Sequence, residues 1–153
     1  MNTARYTIAG YAVAAAAITA ASIGVGLSTP RPNYRPPHGT LNPAVTQATI
    51  ATTICVHGWT ATIRPPVAYT SQLKRAQMSA RHLHGTTADY EEDHLIPLEL
   101  GGAPSDPKNL WPERITQARA KDRLENALHT QVCAGTLTLD AAQALIADPA
   151  TWG

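Results

Sequence analysis

Between Tyr90 and Val132 the sequence changes its period twice, and that order does most to limit the fold. Residues 90–98 (Tyr-Glu-Glu-Asp-His-Leu-Ile-Pro-Leu) read as a strand ending near Pro97. Gly101, Gly102, Pro104 and Pro107 then mark a loop. Asn109-Leu110-Trp111 suits a short return strand. From about Glu113 to Val132 the residues Ile115, Ala118, Leu124, Leu128 and Val132 recur near one helical stripe, and Gly135 is a stop signal. Strand, loop, strand, helix predicts an α+β domain built on a hairpin and a helix.

The flanks fill in around this unit. Residues 49–56 are β-branched and strand-like, and Gly58 and Pro65-Pro66 punctuate the stretch after them. A helix is expected from Ser71 to about Leu83, with Leu73, Ala76, Ala80 and Leu83 on one stripe and Lys74, Arg75 and Arg81 on the rest. Those cations suit a solvated face, with a phosphate-contacting helix as the sharper alternative. A last helix is expected over about Asp140–Ala147, with Asp140 in the first turn where a carboxylate suits the dipole. With no Phe in the chain, Trp59, Trp111 and Trp152 are expected in the core rather than as stacking platforms.

Residues 1–29 differ in kind. Arg5 is their one charge, and Tyr6–Leu27 is rich in Ala, Ile and Val. A helix of that length spans about 33 Å, close to a bilayer core. The same stretch reads as a signal peptide, with Arg5 as the basic flank. Residues 30–45 come next as a Pro-rich spacer, so the folded domain is expected over 46–153, with its motif core at 90–125. Cys55 and Cys133 are the only cysteines. A bridge between them would persist outside the cytosol. Leader and cysteine pair together predict a secreted protein, or one membrane-anchored with its domain outside the cytoplasm.

Twelve Lys and Arg oppose eleven Asp and Glu, for a net charge of +1. That excludes binding by bulk positive charge, so any nucleic-acid contact must come from local arrangement. Two cysteines also exclude a four-thiolate zinc site.

The densest chemistry lies between Glu91 and Asp122. Glu91, Glu92 and Asp93 precede His94, a run of like charges that a strand would not adopt for stability. A divalent cation could offset that repulsion. Phosphodiester hydrolysis needs an activated water and charge stabilisation on the phosphate. A histidine suits the first task and a carboxylate-bound Mg²⁺ or Mn²⁺ the second.

These residues resemble the HNH nuclease family. Asp93-His94-Leu95-Ile96-Pro97, Gly101-Gly102 and Asn109-Leu110 match its D-H-x-x-P, Gly-Gly and N-L steps in order, over about thirty residues. The resemblance implies a ββα-metal hairpin and helix with flanking helices, preceded here by the N-terminal apolar helix. It implies metal-dependent cleavage of DNA, or RNA. His94 would be the general base and Asp93 a metal ligand. Asn109 would brace the loop and help orient the histidine. Lys121 would contact phosphate. The family's last ligand falls at Ala118, which binds no metal. Asp122, one turn on, is the replacement expected, and Glu91, on the strand face of Asp93, is the other candidate. Otherwise the metal site is weakened or lost, leaving a degenerate HNH fold that binds nucleic acid or an envelope partner.

Overall fold

The computed structural model describes residues 39–152, within the unit 33–153 into which chain contacts divide the molecule. The expected leader lies outside the described residues. Among them no helix is long and apolar enough to cross a membrane. They form an α+β domain: α1 (Trp59–Ile63), α2 (Val67–Ala80), β1 (Tyr90–His94), β2 (Leu110–Arg114), α3 (Ile115–Cys133) and α4 (Leu139–Ile146).

β1 and β2 pair antiparallel, from Tyr90 opposite Arg114 to His94 opposite Leu110. The expected strand over 90–98 thus ends at His94. Beyond it, Ile96 bonds a side chain instead of a strand: its N–H donates to Asn109 Oδ1 at 2.9 Å, and Asn109 Nδ2 donates back to the Ile96 carbonyl at 2.9 Å. Gly102 closes the loop against this clamp. A Cβ there would stand 1.7 Å from the Ile96 carbonyl oxygen, so only glycine fits. Pro112 is tolerated in β2 because each strand of a two-stranded sheet has a free edge.

α3 leaves β2 directly and packs across the hairpin. Its buried residues Ala118, Lys121, Leu128 and Val132 form one stripe at helical spacing. Gly135, at φ +72°, ends the helix as expected: its N–H bonds the Val132 carbonyl, and Thr136 N–H bonds that of Gln131. α4 starts at Leu139 because the Thr138 hydroxyl caps it, accepting from Ala141 N–H at 3.3 Å. The core gathers Leu95, Leu100, Trp111, Leu128, Val132, Leu139, Ile146 and Trp152 between hairpin, α3 and α4. Trp111 and Trp152 meet at 5.9 Å between ring centroids.

Three expectations need correction. Residues 49–56 are not a strand but a 3₁₀ turn (Ile50–Thr52) and further turns. The Thr53 hydroxyl donates to the Thr49 carbonyl at 2.7 Å, a local bond that competes with strand formation. α2 begins at Val67, because Pro66 already holds the φ that leads into a helix. It ends at Ala80, where His82 turns left-handed. The spacer also ends earlier than expected. Gly39 N–H bonds the Lys108 carbonyl, Leu41 bridges Gly102, and Val45 is buried, so residues 39–45 already belong to the domain.

Cys55 and Cys133, 78 residues apart, form a disulfide that ties the 49–56 turns to the end of α3. On the chain-entropy model a loop of that length contributes about 4 kcal/mol.

Candidate active site around His94

Strand alternation separates the two halves of the acid–histidine run. Tyr90, Glu92 and His94 share one face of β1, and Glu91 and Asp93 the other. His94 opens on a cleft of about 250 Å³ between β1 and the segment from Arg64 through α2, lined also by Glu92, Arg64, Ser71 and Lys74.

The imidazole is fixed. His94 Nε2 lies 2.8 Å from the Pro104 carbonyl. A carbonyl only accepts, so Nε2 carries the proton and Nδ1 keeps its lone pair. Burial pushes the His94 pKa below its ordinary value, and the Pro104 bond opposes this only in part. The ring is therefore neutral at pH 7, in the state a general base requires. Asn109 supports the arrangement one residue away, donating to the Ala103 carbonyl at 3.0 Å.

Two cations and an acid face the histidine's cleft. Lys74 is anchored by donating to the Thr87 and Tyr90 carbonyls at 2.9 and 2.8 Å. Arg64, just past α1, is exposed. Both Glu92 oxygens are buried without a hydrogen-bond partner. Burial raises Glu92 to about 7, against the opposing pull of Lys74 and Arg81. Near neutral pH this carboxyl still holds a proton much of the time.

The other face of β1 is closed by α3. Lys121, wholly buried, donates to Asp93 Oδ2 at 2.5 Å and to the His94 carbonyl at 2.7 Å. Its ammonium also lies 4.0 Å from Glu113, itself fully buried, and 5.7 Å from the centre of the Trp152 ring. Burial would raise the Asp93 pKa, but Lys121 outweighs it and holds the carboxylate below its ordinary range. Glu113 goes the other way, raised to about 9 by burial and then by Asp93. The cluster is one carboxylate, one ammonium and one neutral acid.

The residues expected to hold a metal do not converge on one. Asp93 is taken by Lys121, and Asp122, one step off the buried stripe of α3, is exposed. Among the described residues a single trio of His, Cys, Asp or Glu brings its ligand atoms within 4.8 Å: Cys55, His129 and Cys133, far from His94 in the chain and with the two sulfurs joined. The arrangement around Asp93 thus does not fit a divalent ion as a ligand cage. Lys121 is equally not placed to touch phosphate, since it is covered by Asp93 and the His94 backbone.

Sequence reasoning did not single out Glu113, nor Glu92 apart from its acidic neighbours. Glu113 lies two residues from Trp111 on β2, and that period of two was the available signal. Nothing singled out Arg64, which reaches the cleft only through the turn at Pro65-Pro66. Comparison with family models, with curated proteins and with solved structures finds no match to this chain.

Proposed function

We propose that this protein hydrolyses phosphodiester bonds of DNA, with RNA as the second substrate to test, outside the cytoplasm. One observation carries the reading: His94 is held in one tautomer by Pro104 and faces a cleft that also presents Arg64 and Lys74. The match to the HNH pattern over Asp93–Pro97, Gly101-Gly102 and Asn109-Leu110 supports it. The disulfide suits an oxidising compartment.

In this reading His94 Nδ1 takes a proton from water as the water oxygen attacks phosphorus. Arg64 and Lys74 stabilise the charge that builds on the non-bridging oxygens. Glu92, protonated, gives its proton to the departing sugar oxygen, and solvent resets both groups. His94 and Glu92 are a pair whose surroundings push their pKa values toward opposite roles. A catalytically silent binding module is the second reading, favoured by the engagement of Asp93 with Lys121.

Plasmid nicking by the purified chain, beside His94→Ala, separates the two. The expected result is nicking that falls by about 10²–10⁴-fold in the variant with an unchanged fold by circular dichroism. Equal nicking by both proteins removes His94 from the mechanism. No nicking by folded wild-type protein favours the binding module.

A further inference from the structure

We infer that Lys121 is the built-in counter-cation of Asp93, standing where the HNH resemblance calls for a divalent metal, so that no metal is taken up there. The inference concerns the same site and, for its catalytic meaning, rests on the hydrolytic reading.

Three observations converge on it. First, the ammonium is saturated: it donates to Asp93 Oδ2 and to the His94 carbonyl, faces Glu113, and lies above the Trp152 ring. A side chain held on all sides and fully buried is a fixed part of the site rather than a mobile surface lysine. Second, the helix has exchanged a ligand for space. Ala118 occupies the expected last-ligand position and is buried. Lys121, three residues on and on the same stripe, reaches past that small side chain to the strand. Third, Asp93 already has its counter-charge at hydrogen-bond distance. A dication at Asp93 would have to approach the buried ammonium that lies 2.5 Å from Asp93 Oδ2, which Coulomb's law penalises steeply away from water.

The arrangement also gives Lys121 a positioning role. It holds the backbone carbonyl of His94 from one side while Pro104 holds the ring from the other. The charge on phosphate is then left to Arg64 and Lys74.

The test uses Mn²⁺ as the probe, with the full chain. Addition of Mn²⁺ to isotope-labelled wild-type protein should leave the amide resonances of Asp93, His94 and Lys121 no more broadened than those of other residues at the same depth. Selective broadening of those three at submillimolar Mn²⁺ would overturn the inference without any variant. Free Mn²⁺ is then measured by electron paramagnetic resonance. Lys121→Ala should gain affinity by about tenfold or more, and Asp93→Asn in that background should abolish the gain. Lys121→Met, which keeps the bulk, should show whether the core tolerates the loss of charge. Wild-type affinity that drops tenfold in Asp93→Asn also overturns it. Cleavage is scored separately. Nicking that survives EDTA within about twofold supports both the inference and the hydrolytic reading. Nicking abolished by EDTA and restored by Mg²⁺ overturns the inference and leaves that reading intact. Absence of nicking under every condition defeats the hydrolytic reading, while the Mn²⁺ measurements still decide the role of Lys121.

Discussion

Glu92 and His94 stand two residues apart on β1, so the pleat turns both toward the cleft. Their titrations should therefore appear together in the pH dependence of kcat/KM. Activity should rise as His94 loses its proton, below the ordinary histidine value of 6.5 because burial disfavours the charged ring. It should fall as Glu92 loses its proton near 7. The result is a narrow optimum on the acid side of neutrality. Glu92→Gln cannot supply a proton and should lower the rate by about a hundredfold while erasing the alkaline limb. An alkaline limb that survives the substitution would exclude Glu92 as the acid. At this scale the sequence shows the residues of the run and their alternation but not what covers each face. Asp93 and His94 are adjacent in the chain, yet they face opposite sides of a strand. The partner of each depends on which helix covers which side. Lys121, rather than Asp122, meets Asp93 because the stripe that α3 buries runs through Ala118, Lys121, Leu128 and Val132, and Asp122 lies on its exposed side.

α2 ends in a way that makes a second prediction. His82, at φ +51°, takes the left-handed position usually given to glycine. Its N–H bonds the Ser79 carbonyl and Leu83 N–H bonds that of Met78, a complete Schellman closure. An L-residue in that conformation costs about 1 kcal/mol relative to glycine, and His82 is exposed. His82→Gly should therefore raise Tm by a few degrees, roughly 3–6 °C for a domain of this size, while His82→Val should lower it. A lower Tm for His82→Gly would mean that the His82 side chain makes a contact worth more than the strain. The same closure explains why the apolar stripe alone predicts a helix running on to Leu83: the stripe continues, and no glycine announces the stop. At Gly135 the stop is legible because the residue type and the geometry agree. Residues 49–56 mislead for a related reason. β-branched residues favour strands only where a partner strand exists, and here the Thr hydroxyls and the Cys55 bridge settle the backbone into turns. The hairpin and α3 can be read because each keeps one period for its whole length.

Taken as a whole, the molecule carries almost no net charge, yet it concentrates acids behind and around one hairpin. Burial raises Glu92 to about 7, Glu125 to about 8 and Glu113 to about 9, each from an ordinary 4.5. The folded state therefore holds protons that the unfolded chain releases above 4.5. Their stabilising contribution is complete below that value and is lost as pH rises through 7, 8 and 9. Asp93 works in the opposite sense. Its folded pKa lies below the ordinary 3.8, because Lys121 outweighs the cost of burial, so its contribution is present above 3.8 and is lost as pH falls through the lowered value. The two trends predict maximal Tm in mildly acidic solution, close to pH 4–5, with a decline toward pH 9. Glu113 should account for the upper part of that decline, because it is wholly buried and Asp93 stands beside it. Glutamine has the shape of the protonated acid and never ionises. Glu113→Gln should thus melt close to the wild type at pH 5 and above it at pH 9. If the two proteins lose Tm in parallel over that range, Glu113 ionises freely in the fold and is not held protonated beside Asp93.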